Sequence, residues 1–229
     1  MSLNQINIEY LLIIVIGVVG LIVQWRLKAV FRKYSKVNLP EGLTGREVAE
    51  RMLRQNGIMG VKVISTPGRL TDHYDPRNKT VNLSEGVYDS ATISAAAVAA
   101  HECGHAVQHA KQYGPVKLRS ALVPVISVTS TWSIWVIIAG IVLINQFPAL
   151  FWIGIGMIAA SALFALVTLP VEFDASMRAM EWLRQSHTLG EKELPQARTA
   201  LSWAASTYIV AALGAIATLL YYLSIARRN

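Results

Sequence analysis

AAAVAAHECGHAVQHAKQ, residues 95–112, is the stretch from which the rest of the chain can be read. Small apolar residues run into His101-Glu102-Cys103-Gly104-His105 and continue as one helix to about Gln112. Side chains at i and i+4 project from the same helix face, so the two imidazoles can reach a single tetrahedral metal. Glu102, between them, can hold and deprotonate a water on that metal. The pattern implies a metallopeptidase site with His101 and His105 as zinc ligands and Glu102 as catalytic base. The alanines before the motif permit close packing of neighbouring backbone, and Gly104 suits a strand crossing near the metal. Asp89 or Ser90 is the expected cap of this helix.

Composition places the helix in a membrane protein. Of 229 residues, 53% are hydrophobic and only 15% charged, with apolar runs too long for core strands, which argues against a soluble enzyme. The net charge of +7 does not indicate nucleic acid, because the basic residues are scattered or flank apolar spans without an aromatic-interleaved patch. Anchoring at the lipid bilayer accounts for them better. The single cysteine, Cys103, excludes an internal disulfide and a cysteine-based zinc cage, so a metal must take histidine and carboxylate ligands. Cys103 itself reads as a small packing residue.

Four segments are long and apolar enough to span a bilayer: about 10–25, 122–144, 150–169 and 208–225. The first lacks a basic n-region and a small-residue cleavage site, and Trp25-Arg26-Leu27-Lys28 follows it, so it reads as a retained anchor. Tyr10, Trp25, Tyr221 and Tyr222 mark span ends, where aromatic rings favour the headgroup level. Arg26, Lys28, Arg32, Lys33 and Lys36 follow the first span while no lysine or arginine precedes it. The positive-inside rule then puts residues 26–121 in the cytoplasm. Residues 170–206 return to the same side through a tight external turn at Asn145-Gln146-Phe147-Pro148. Arg227 and Arg228, outside by this count, oppose the orientation.

Between the first span and the motif, Thr44-Gly45-Arg46-Glu47 forms a capping box, with Val48, Met52 and Leu53 behind it and Gly57 at the helix stop. Residues 61–64 read as a strand and Pro67-Gly68 as a turn. Residues 70–74 and 80–83 flank Asp75-Pro76-Arg77-Asn78-Lys79 as a hairpin. The expected fold is therefore a mainly α membrane protein, with about four transmembrane helices and a small cytoplasmic α+β zincin-like subdomain carrying the HExxH helix. Residues 1–229 read as a single integrated domain, with catalytic parts in 26–121 and 170–206.

A catalytic zinc takes three protein ligands and keeps one position open. His109 is the nearest candidate, yet eight residues beyond His101 is about 12 Å along a continuous helix, far outside coordination distances of about 2 Å. It reads as a structural or supporting residue, and His73 as an exposed hairpin residue. At the end of the third span, Pro170-Val171-Glu172-Phe173-Asp174 sets carboxylates directly against a membrane helix. Such residues are either solvated at the helix exit or turned to the metal. Because the second and third spans return this segment to the side of the histidines, Glu172 becomes the third ligand. Asp174 and Arg178 form an i,i+4 pair, with hydrogen bonding from Asp174 to a ligand histidine as its alternative role.

HECGHAVQHA, the preceding LTDHYDPRNKTVNLSEGVY, the later LPVEFDAS and the closing ELPQAR together resemble the bacterial YugP-type neutral zinc metallopeptidases over nearly the whole chain. The resemblance implies a multi-pass membrane enzyme with His101, His105 and Glu172 as zinc ligands and Glu102 as base. It also implies a fold similar to the membrane zincins of the heat-shock HtpX and CAAX-protease class. Those relatives carry an aspartate four residues after the ligand glutamate, where this chain has Ser176.

The expected reaction is hydrolysis of a peptide bond in a peptide or membrane-protein substrate, in keeping with membrane-protein quality control. An edge strand of the hairpin could hold the substrate extended. Arg178, His187, Tyr74 and Tyr88 are available to stabilise an oxyanion, with none singled out. Two alternatives stand beside this reading. One is a non-catalytic zinc-binding membrane scaffold or adaptor, against which Glu102 argues, because closed structural sites need no base. The other is an intramembrane site-2-type protease, which would bury the motif in a spanning helix. The absence of charged residues or paired helix breaks within the spans argues against a transporter. A membrane-protein partner or a homo-oligomer is compatible with the sequence.

Overall fold

The structure is a computed structural model and describes residues 8–227; Arg228 and the residues before Ile8 lie outside it. In chain order the elements are α1 (Ile8–Tyr34), α2 (Gly45–Gln55), β1 (Lys62–Thr66), β2 (His73–Asp75), β3 (Thr80–Ser84), α3 (Glu85–Tyr88), α4 (Ile93–Ala110), α5 (Gly114–Val142), α6 (Pro148–Gln185) and α7 (Leu194–Ala226). This is a mainly α membrane protein with a small α+β part. Among the described residues, α1, α5, α6 and α7 are the four helices long and apolar enough to cross a membrane, with mean hydropathy of at least 2.0 in their apolar windows. At most 22% of any such window is buried within the protein, so the spans present apolar surface of the kind that lipid covers. Each is longer than its expected span, although α5 stops at Val142, short of residue 144. Helix α6 runs from Pro148 to Gln185, so Glu172 is helical and not in a loop after the third span.

The chain divides into two compact units. One comprises the residues up to Ile22, 118–169 and those from Thr207 onward. Here α5 and α6 are joined by the expected tight turn and pack through buried Ile137, Phe151 and Ile155. Gly140 makes this contact close, since a Cβ on it would meet the backbone nitrogen and Cα of Phe151 at 2.7 and 2.6 Å. The rings of Tyr10 on α1 and Tyr221 on α7 lie 6.1 Å apart.

The other unit, residues 23–117 and 170–206, is built around α4. Thr44 and Glu47 form the capping box read from the sequence and start α2, and Gly57 closes that helix region at φ +70°. The apolar face of α2, with Val48, Ala49, Met52 and Leu53, joins the alanine run of α4 in a continuous core. Val81 and Leu83 from β3 and Ala179, Trp182 and Leu183 from α6 complete that core. Burial of this kind is worth about 25 cal/mol per Å² of apolar surface, which is why α4 is held from nearly every side. The hairpin forms as expected, with β2 antiparallel to β3. The structure adds a parallel pairing of β1 with β3, giving the order β1-β3-β2 and leaving β1 and β2 as edges.

Two local expectations are corrected. The cap of α4 is Thr92, whose hydroxyl accepts from the Ala95 N–H, whereas Asp89 ends the short α3. The neighbour of Gly104 is not a strand but helix α6: a Cβ there would meet the Ala175 carbonyl oxygen at 2.5 Å.

Candidate metal centre

The helical spacing of α4 sets the first two donors. His101 and His105 stand one turn apart on its partly open face, their rings edge to face with centroids 4.9 Å apart. The third comes from α6. Its approach is controlled by Gly104 and Ala175, since only a residue without a side chain lets the two backbones come this near. The result puts Oε2 of Glu172 at 3.3 Å from Nε2 of His101 and 3.5 Å from Nε2 of His105. Among the described residues these three form the group that could hold a metal ion, their donor atoms all within 4.8 Å of one another.

The spacing suits zinc. A tetrahedral ion with bonds of about 2.0–2.1 Å holds its donors roughly 3.3–3.4 Å apart. A charge-assisted N–H···O bond would instead draw them to about 2.7–2.9 Å. Two imidazoles and one carboxylate are also a donor set that zinc accepts, with the fourth position free for water or substrate. Glu172 is only 2% exposed, and a carboxylate so buried needs strong compensation from charge or metal. Burial opposes the charged form of His105, but the neighbouring carboxylates of Glu172 and Glu102 outweigh it and raise its pKa above the ordinary histidine value.

Both histidines are held from behind. Nδ1 of His101 lies 3.1 Å from the hydroxyl of Ser176, the residue standing where an aspartate was expected. Nδ1 of His105 lies 3.0 Å from Oε1 of Gln108, which sequence reasoning passed over. Its only signal was its place three residues after His105, since glutamine is not a metal-ligand type. Gln108 in turn donates to the Val171 carbonyl at 2.7 Å and to Asp174 at 2.8 Å. Asp174 pairs with Arg178 at 2.6 Å as expected, but it reaches His105 through Gln108 instead of directly.

Glu102 is buried beside the pair, at 8% exposure. Cys103 faces the core, where burial and the neighbouring Glu102 charge push its thiol well above the ordinary value. His109 is in ring contact with Tyr74 at 5.4 Å, outside the donor triad, and His73 is exposed with Nδ1 2.7 Å from the Thr71 carbonyl. Burial also raises the Tyr74 hydroxyl pKa. Of the other oxyanion candidates, Arg178 is engaged by Asp174 and lies 5.9 Å from the Tyr113 ring centroid, Tyr88 lies beneath Arg46, and His187 is exposed.

Comparison with known proteins points to zinc. The profile of a family described as "Putative neutral zinc metallopeptidase" matches residues 9–227. The chain is 42% identical over 204 residues to "Putative membrane protease YugP" of Bacillus subtilis (strain 168), which covers 88% of this chain and 89% of that protein. No solved structure matches.

Proposed function

The chain belongs to the neutral zinc metallopeptidase family, and from that premise we propose a zinc-dependent membrane endopeptidase in which His101, His105 and Glu172 hold the ion and Glu102 is the base. The observation that supports it most is the placing of one buried carboxylate oxygen, from a separate helix, at 3.3 and 3.5 Å from both Nε2 atoms. Zinc, when bound, polarises a scissile carbonyl and acidifies water. Glu102 takes the proton of the attacking water and passes it to the departing amine, so no covalent intermediate is needed. The set of two histidines and a glutamate makes the centre gluzincin-like.

Strand β2 is an edge and packs against α4, with Tyr74 meeting His109 one turn beyond His105. An extended substrate segment adding to this edge would run along the histidine helix, held by main-chain bonds that tolerate varied sequence. That suits exposed loops of membrane proteins and a role in their quality control. Arg26, Lys28, Arg32, Lys33 and Lys36 favour a site facing the cytoplasm in a cytoplasmic membrane. In this reading the whole chain works as one integrated metallopeptidase. Helix α4 is not among the helices suited to cross a membrane, which argues against an intramembrane site.

The test is the zinc content of detergent-purified protein. About one zinc per chain is expected in the wild type, with a clear loss in Glu172→Ala. Glu102→Gln should keep the zinc and lose cleavage of an unfolded membrane-protein substrate by about 10²-fold or more. Zinc retained in Glu172→Ala would sink the ligand assignment, and cleavage retained in Glu102→Gln would sink the base.

A further inference from the structure

Gln108 is fully buried at 0% exposure, where α4 meets the tail of α6. The two ends of a side-chain amide have nearly the same shape, so its orientation has to follow from its partners. At one end stand the Val171 carbonyl at 2.7 Å and the Asp174 carboxylate at 2.8 Å. Both only accept. That end must therefore be the NH₂ group, and its two N–H bonds are both used. The end that faces Nδ1 of His105 at 3.0 Å is then the carbonyl oxygen, which also only accepts. His105 must donate from Nδ1. A neutral ring with its proton on Nδ1 carries its lone pair on Nε2, the atom 3.5 Å from Glu172.

We propose that Gln108 is a positioning residue of the metal centre, an amide locked by Val171 and by the Asp174–Arg178 pair that holds His105 as the Nδ1–H form and turns the Nε2 lone pair toward the ion. This rests on the reading of His105 as a zinc ligand. Arg178 supports the device, donating through Nε and Nη2 to Asp174 at 2.6 and 3.2 Å, which orients the carboxylate toward the amide. His101 is held differently. The Ser176 hydroxyl can donate or accept, so it steadies that ring without selecting a tautomer. The two ligand histidines thus have unequal support, one with a single permitted polarity and the other with an adaptable one.

The test exchanges the chemistry of positions 108 and 174 while measuring zinc affinity by competition with a chromophoric chelator in detergent. Gln108→Glu alone sets a carboxylate against Asp174 and the Val171 carbonyl, and should weaken zinc binding by about 10- to 100-fold. Adding Asp174→Asn to it turns one of these two clashes into a hydrogen bond: the new amide donates to the new carboxylate, whose other oxygen accepts from Nδ1 of His105, while the Val171 carbonyl stays opposed. The double variant should recover about tenfold or more of the lost affinity. Gln108→Met, which keeps the length and loses the amide, should be as weak as Gln108→Glu and should not be rescued by Asp174→Asn.

Zinc affinity within about twofold of wild type in Gln108→Met would overturn the proposal, and so would a change confined to the melting temperature of the zinc-free protein. A double variant no better than Gln108→Glu would also overturn it. If Gln108→Met does not fold, the comparison between Gln108→Glu and the double variant decides alone. Glu172→Ala in the same assay separates the two levels. Binding that survives Glu172→Ala defeats the ligand reading itself, whereas binding that needs Glu172 but ignores position 108 defeats only the role of Gln108.

Discussion

Replacing Gly104 by alanine adds one methyl group at the place where α4 and α6 touch. The new Cβ would lie 2.5 Å from the carbonyl oxygen of Ala175 and 3.1 Å from its carbonyl carbon and Cα. All three are main-chain atoms within a helix, so no side chain can swing aside. Restoring contacts of 3.0 to 3.4 Å requires the two helices to part by about 0.5–0.9 Å. Overpacking of this kind costs about 1–3 kcal/mol, and the better helix propensity of alanine offsets about 0.8–1 kcal/mol. The zinc-free protein should lose about 0–2 kcal/mol, with a drop of roughly 0–8 °C in melting temperature. Metal binding should suffer more, because His101 and His105 ride on one helix and Glu172 on the other, and a functional site tolerates only about 0.5 Å of misplacement. Zinc affinity at least tenfold weaker is expected by chelator competition. Gly86→Ala is the control, since no atom lies within 4 Å of its added Cβ. Gly104→Ala with the affinity of the wild type would refute the claim that this helix contact sets the spacing of the donors.

Two further outcomes follow from the packing around α4. The Cys103 thiol is fully buried and its pKa is raised, first by burial and then by the Glu102 charge. Because the thiolate is the reactive form, a raised pKa leaves less of it at any given pH, so iodoacetamide near pH ~8 should label the denatured chain and spare the folded one. Labelling of folded protein at the rate of a free cysteine would contradict this burial. In the capping box, the Thr44 hydroxyl accepts from the Glu47 N–H at 3.3 Å and the Glu47 carboxylate accepts from the Thr44 N–H at 2.8 Å. Thr44→Ala should lower the melting temperature by about 2–6 °C through the loss of the cap. An unchanged melting temperature would show that α2 owes its start to its packing on α4 alone.

The features readable in the sequence are those that repeat over short distances along it. The i,i+4 spacing of His101 and His105, the capping box at Thr44, the hairpin around residues 75–79 and the four apolar spans all depend on near neighbours. Glu172 was reachable because carboxylates beside a membrane span needed a reason and the turn after the second span brought them back. The cap of α4 was misread by two or three residues because Asp89, Ser90 and Thr92 all have suitable side chains, and only the backbone geometry separates them. The β1–β3 pairing was missed because parallel strands are not joined by a turn and leave no local mark.

Sequence by itself determined which residues could take part: two histidines and a glutamate on one helix, a carboxylate just past the end of an apolar span, and the spans themselves. Tertiary structure alone decided how they meet. Gly104 faces α6 instead of a strand, Ser176 reaches His101 across 75 residues of chain, and Gln108 joins His105 to Asp174 across 66. A glutamine, a serine and a glycine have no spacing that announces a metal site. Their roles come from the close approach of two helices, which depends on every side chain between them and not on any short run of the chain.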